Sequence, residues 1–435
     1  MPVGTLEPIR QACILVGGQG RRLGELTRSV PKPLMQIDDD STFLDIVISQ
    51  VARQGFNDIV LLAGHLGDQV YARYHGREVG GARLRVVIEP EPLGTAGALT
   101  SASDLIAPRF AMLNGDSFFD INLRALAAKF ALDDAEGLIA LHRVTDAARY
   151  GSVVIDGEHV VQFLEKREVA GPAGPALING GAYLLRASVL DRIDTLPCSI
   201  ESDIFPVLAQ EGLLKGSACE GYFIDIGLPE TLARARHELA AVTRRPAAFL
   251  DRDGVINVDH GYVHRPEQVD WIAGAQESIR RLNDLGYRVI VVTNQAGVAH
   301  GFYGEESVRS LHAFMQDELA KKGAFIEAFY HCPYHPQARV EKFRRQHHDR
   351  KPEPGMILRA FADMPIDRER SFLIGDKGSD IEAAHRAGIR GLLFEGGNLA
   401  DFLGQKLPGF GPLLPQGASG PAKPATPRQR RASAY

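Results

Sequence analysis

Short apolar runs that stop at a glycine, a proline or an acid alternate with helix-patterned stretches along most of this chain. "ACILVGG", "DIVLLAG", "LRVVIEP" and "RFAMLNGD" are such runs, and "FLDIVISQVARQG" has helical spacing with a glycine where the helix should stop. That alternation predicts parallel α/β architecture. The pattern then starts again. The helix-like "PETLARARHELAAVTRRP" closes a first series at Pro246. "AAFLDRDG" opens a second, which continues through "YRVIVVTNQ", "AFIEAFYHC", "RSFLIGD" and "IRGLLFEGG". The expected organisation is two doubly wound α/β domains, at 1–243 and 247–405, with almost no linker. Residues 411–435 are rich in Pro, Gly, Ala and Ser and end basic, which predicts a disordered tail. No internal motif repeat relates the two series.

Bulk properties agree with this division. A chain of 435 residues, 45% hydrophobic and 24% charged, exceeds one ordinary core and suits two globular domains. A net charge of −5 gives no case for a nucleic-acid partner. Cys13, Cys198, Cys219 and Cys332 have no paired spacing and read as reduced thiols. The N-terminus lacks a basic segment followed by an apolar one, and no apolar run reaches about 18 residues. The expectation is a cytoplasmic protein without a membrane span. Homo-oligomerisation is left open.

The second series carries the sharper chemistry. In a parallel sheet, ligands sit beyond the carboxyl ends of the strands. Asp251 and Asp253 fall at such an end, and residues i and i+2 point the same way. Two carboxylates facing one site are costly unless a cation neutralises them, and Mg²⁺ does so with hard oxygen ligands. Later strand ends deliver Thr293 and Asn294, then Arg350 and Lys351 in "DRKPEPG", then Asp376, Lys377 and Asp380 in "FLIGDKGSDIEAA".

DxDG, a strand-end Thr, a Lys before Pro and GDxxxD, in that order, resemble the haloacid dehalogenase-like phosphatases over roughly 247–400. The resemblance implies that Asp251 is the nucleophile and Asp253 the general acid and base. Thr293 and Lys351 would hold the phosphoryl group. Asp376 would complete a Mg²⁺ site with Asp251 and the Asp253 backbone carbonyl, and Asp380 would orient the metal water or Lys377. "DRDGVINVDHGYVHRPEQVDWI", "VVTNQAGVAHGFY" and "CPYHP…RKPEPGM" are similar to heptose 1,7-bisphosphate phosphatases, with histidinol phosphatases as relatives. Arg350, and Asn294 near it, would then meet the substrate. These families usually carry a zinc loop of the form CxH…CxC. Here Cys332 is kept, Tyr334 stands at the histidine position, and His347-His348-Asp349 replaces CxC. Cys332, His335, His347 and Asp349 are the candidate substitute zinc ligands, and loss of zinc is the plainer expectation.

In the first series, "ILVGGQGRRLGELTRSVPKPL" places Gly17, Gly18 and Gly20 where backbone N–H groups can approach phosphate, with Arg21, Arg22 and Lys32 adding positive charge. The spacing matches neither the P-loop nor the dinucleotide fingerprint. It resembles the GGxGTRL…PKP signature of sugar-1-phosphate nucleotidyltransferases, with Arg21 in place of the usual Thr. "EPLGTAGAL" then implies a base-contacting loop at Gly94 and Thr95. Asp116 and Asp225 would be the Mg²⁺ ligands, and Glu165, Lys166 and Asn179 the sugar contacts. The style of these motifs is that of heptose 1-phosphate guanylyltransferases, with mannose-1-phosphate guanylyltransferases as neighbours. The paired resemblance implies two Rossmann-like domains, a nucleotide-diphospho-sugar transferase fold followed by a haloacid dehalogenase-like fold. GTP and heptose phosphates would be the substrates. Two alternatives stay open: another hexose 1-phosphate with a histidinol-phosphate-type phosphatase, or one half that only binds.

Overall fold

The computed structural model describes residues 7–145, 152–164 and 175–410. The first half is built on a ten-stranded mixed sheet. Its parallel heart is Ala82–Ile88, Asp58–Ala63, Gln11–Leu15 and Arg109–Asn114, side by side in that order. The long strand Ala176–Arg186 then runs antiparallel to both Arg109–Asn114 and Gly137–Val144. Alternation along these strands separates two cores. Ala12, Ile14, Ile59 and Leu61 face one layer of helices, whereas Cys13, Val60 and Leu62 face the other. A small ribbon pairs Ser117–Phe119 with Phe223–Asp225.

The second half is a five-stranded, wholly parallel sheet. Its order is Ala328–Cys332, Arg288–Asn294, Arg245–Leu250, Ile366–Gly375 and Arg390–Leu393. The central strand Arg245–Leu250 is buried at every residue, as expected where helices cover both faces. Ala248 and Leu250 join one core with Val289, Val291 and Ile374. Ala247 and Phe249 join the opposite one with Ile290, Val292 and Leu373.

The helix Pro229–Thr243 closes the first half, Arg244 caps it, and the new strand begins at Arg245. The halves also touch through side chains. Arg10 pairs with Asp317 at 2.7 Å, and Asn122 donates to Asp284 at 2.7 Å and to the Gly323 carbonyl at 3.1 Å. Gly323 lies against the helix Leu123–Ala131: a Cβ there would come within 2.8 Å of the Ala125 Cα. Among the described residues, no helix is long and apolar enough to cross a membrane.

Candidate active sites

In the second half, the strand ends converge on a cavity of about 500 Å³. Asp251, Asp253, Thr293, Asn294, Arg350, Lys351, Lys377 and Asp380 all line it. Lys351 is buried and lies 2.9 Å from Asp251 and 2.7 Å from Asp380. Burial alone would discharge this lysine, but Asp251 and then Asp380 outweigh it and hold the ammonium charged. Burial also pushes the Asp251 carboxyl up to about 6, against the pull of Lys351. Gly254 answers why the DxDG turn ends in glycine. Its φ is +87°, and a Cβ there would stand 2.4 Å from Asp376 Oδ2.

Asp253 is held by neighbours that the motif leaves unspecified. The wholly buried Arg252 donates to it at 2.8 and 3.1 Å, Asn257 at 2.9 Å and Gln295 at 3.2 Å. Gln295 also donates to Thr293 at 2.9 Å. Asn294, expected at the substrate, has its amide engaged with the Lys351 backbone in both directions, at 3.1 Å each. It therefore sets the position of the lysine. Asp380, expected to steer Lys377 or a metal water, accepts the Lys377 backbone N–H at 3.0 Å as a helix cap and pairs with Lys351. The Lys377 ammonium instead meets Asp259 at 3.1 Å and Asp376 at 3.6 Å.

Asp251, Asp376 and Asp380 bring carboxylate oxygens within 4.8 Å of one another, and the buried Asp376 Oδ1 has no hydrogen-bond partner. An all-oxygen set with an orphaned acceptor suits Mg²⁺. The four zinc candidates fare differently. The compact group is His347, His348 and Asp349, without Cys332 or His335. Tyr334 stacks on His347 at 4.1 Å, His347 on His348 at 4.2 Å, and Arg359 neutralises Asp349 at 3.1 Å. Aromatic stacking thus occupies the loop, and Cys332 and His335 stand outside the compact group.

In the first half, a cavity of about 390 Å³ is lined by Gly17, Gly18, Arg21, Lys32, Gly94, Thr95 and Asp116, with Glu89 and Asn114 beside them. Lys32 is buried and reaches Asp116 at 2.7 Å and Asp225 at 3.8 Å. The pairing of Ser117 with Asp225 in the small ribbon brings these two acids together. Burial and then the Asp116 charge raise Asp225 above its ordinary range. A hard cation at this point would relieve both effects, so the pair fits Mg²⁺. Gly94 has φ +83°, and a Cβ would sit 2.3 Å from the Cys198 carbonyl oxygen, so the loop closes only with glycine. Gly20 is an αL turn residue outside the cavity lining, and Arg22 is exposed and also outside it. Glu165 and Lys166 lie outside the described residues.

Asn179 sits beside a β-bulge: the register shifts between Asn179 and Tyr183, and Asn179 accepts the Gly181 N–H at 2.9 Å. A chain of side chains joins it to the nucleotide loop. Asn179 donates to the Tyr183 hydroxyl at 2.9 Å, Tyr183 to Glu201 at 3.3 Å, and Thr95 to Glu201 at 2.6 Å. Glu201 and Tyr183 carry no motif that sequence reading could seize.

A family model described as nucleotidyl transferase matches residues 11–242, and one described as HAD-hydrolase-like matches residues 348–406. The D-glycero-beta-D-manno-heptose-1,7-bisphosphate 7-phosphatase of Rhodopseudomonas palustris is 48% identical over 168 residues, 39% of this chain and 93% of that protein. The chain belongs to both families. The enzyme of the same name from Escherichia coli is 44% identical over 144 residues, 33% of this chain and 75% of that protein. The crystal structure of HddC from Yersinia pseudotuberculosis is 30% identical and covers 53% of this chain and 100% of its own, with a TM-score of 0.47. This nucleotidyltransferase–phosphatase is thus an enzyme with two different phosphorus chemistries on one chain.

Proposed function

We propose that the second half removes the 7-phosphate of D-glycero-D-manno-heptose 1,7-bisphosphate. The first half then transfers GMP from GTP to the heptose 1-phosphate, releasing pyrophosphate and GDP-heptose. The observation that carries this reading is the identity of 48% to a named 7-phosphatase over 93% of its length, joined to a nucleotidyl transferase in one chain. The two activities share an intermediate, so each supports the other's assignment. We take 1–243 and 247–405 as the two working units.

In the phosphatase, a carboxylate oxygen of Asp251 attacks phosphorus and the bond to the sugar oxygen breaks. Asp253, aimed by Arg252 and Gln295, gives its proton to that oxygen. Asp253 then takes a proton from water, which cleaves the aspartyl-phosphate. Lys351 and Thr293 meet the phosphoryl oxygens, and Arg350 meets the far end of the substrate. Mg²⁺ held by Asp251, Asp376 and the Asp253 carbonyl would neutralise phosphate charge. In the transferase, an ionised sugar phosphate attacks the α-phosphorus in line, so no general base is required. Lys32 and Arg21 face the triphosphate, Gly94 and Thr95 the base, and Asn179 the sugar. Mg²⁺ between Asp116 and Asp225 would offset charge at the α-phosphate.

The relatives are named for the β anomer, whereas a GDP-α-heptose requires the α 1-phosphate. The test therefore follows phosphorus NMR with both anomers of the bisphosphate, Mg²⁺ and GTP, and with ATP, UTP, CTP and dTTP in parallel. The expected result is free phosphate followed by a GDP-sugar and pyrophosphate. Asp251→Asn should cut phosphate release at least about a thousandfold while leaving nucleotidyl transfer to supplied heptose 1-phosphate intact. Phosphate release with no sugar nucleotide from any triphosphate would overturn the assignment of the first half. No release from either anomer would overturn that of the second.

A further inference from the structure

Gln295 directly follows the strand Arg288–Asn294 and is buried. Its amide nitrogen donates to Asp253 at 3.2 Å and to the Thr293 hydroxyl at 2.9 Å. Turned over, the amide would set its oxygen against the Asp253 carboxylate and draw the Thr293 proton onto itself. Two donors prevent this by holding the amide oxygen. Arg252 reaches it at 3.3 Å, from an arm that also serves both oxygens of Asp253 and the Val263 carbonyl. The Tyr303 hydroxyl reaches it at 2.9 Å and is the short donor of the two.

Tyr303 is itself held in place. Its ring lies on Gly297, where a Cβ would come within 2.2 Å of it, and the His264 ring stacks on it at 4.5 Å with planes 10° apart. Burial pushes the phenol up to about 12, so it keeps the proton it donates. Thr293 gains a direction from the same arrangement. A hydroxyl that accepts from Gln295 has its own proton free for another acceptor, and Thr293 lines the catalytic cavity.

We propose that Tyr303 is a positioning residue of the phosphatase. Its hydroxyl fixes the Gln295 amide, and through that amide it sets both the aim of Asp253 and the donation of the Thr293 proton to the phosphoryl group. This rests on the phosphatase half of the proposed function, but on no particular sugar.

A double-mutant cycle on the full chain tests it, with Tyr303→Phe, Gln295→Ala and the two combined. Tyr303→Phe keeps the ring, its stack and its contact with Gly297, and removes only the hydroxyl. Steady-state hydrolysis of heptose 1,7-bisphosphate and of phenyl phosphate is followed in parallel, and nucleotidyl transfer on the same preparations reports that each chain is folded. Tyr303→Phe should lower kcat at least about fivefold with KM within about twofold, and should cost nothing further in the Gln295→Ala background. An unchanged kcat overturns the proposal. An equal fall in both backgrounds does so too, because the tyrosine would then act without Gln295. A raised KM at unchanged kcat would make Tyr303 a substrate contact instead. If Gln295→Ala does not fold, Gln295→Met keeps the volume and removes both polar ends. Wild type active on phenyl phosphate alone would overturn the sugar assignment and leave the cycle readable. Wild type inactive on both would overturn the phosphatase reading, and this proposal with it.

Discussion

Asp251 serves two opposed demands. A nucleophile must be ionised, yet its burial pushes the carboxyl up to about 6, and the Lys351 ammonium only partly offsets this. Protons and Mg²⁺ compete for the same oxygens, so below that range the proton wins. The Mg²⁺ concentration giving half-maximal phosphatase rate should rise as pH falls through about 6, by up to about tenfold per unit, and flatten above it. Titrating activity with Mg²⁺ across that range checks this; a requirement independent of pH would remove the proton from the account. The acids themselves are legible in the sequence because DxDG and GDxxxD fix their spacing. Arg252 is not, because it stands at a position the pattern leaves free. Only the folded loop turns its guanidinium back onto Asp253. Asn294 shows the converse: its place at a strand end was readable, but not that its amide would bracket the Lys351 backbone.

At the scale of elements, strand ends gather the residues and turns set their approach. The segment around Cys198 clamps the nucleotide loop, since Ala96 and Gly97 both donate to the Cys198 carbonyl, at 3.0 and 3.1 Å. Gly94→Ala forces a side chain into a left-handed conformation and onto that same carbonyl. It should raise the KM for the nucleoside triphosphate at least about tenfold while leaving phosphatase turnover unchanged. Steady-state kinetics of both reactions on one preparation decide it; an unaltered KM would free the loop from the clamp. The loop was readable from "EPLGTAGAL", but its partner was not. Cys198 lies about a hundred residues away in a stretch without any motif, and only the tertiary fold brings it close. The packing of the loop around Cys332 was not legible for a related reason. Ligand types can be counted along a chain, but stacking of Tyr334, His347 and His348 depends on ring orientation.

For the whole molecule, the restart of the α/β pattern near Pro246 was visible as periodicity, and the second sheet's strand begins slightly earlier, at Arg245, with Pro246 inside it. The seam between the halves was not visible. Arg10, Asn122 and Asp317 are ordinary polar residues whose pairing depends on how the two halves meet. Gly323 brings its backbone against Ala125 across the seam, with a φ of +74°, so Gly323→Val should both strain the turn and wedge the halves apart. The expected cost is about 1–3 kcal/mol of stability, with both turnover numbers near wild type. Calorimetry on the intact chain measures this, and an unchanged melting profile would mean that the seam contributes little.

The junction at Thr243–Arg245 has one further consequence. Helix gives way to strand across a single residue, which leaves no slack for a tether. The junction itself therefore cannot act as a swinging arm between the two pockets. The two catalysts are also made in strict equality. A cell carrying this chain cannot adjust the relative capacity of the two reactions by how much of each enzyme it makes.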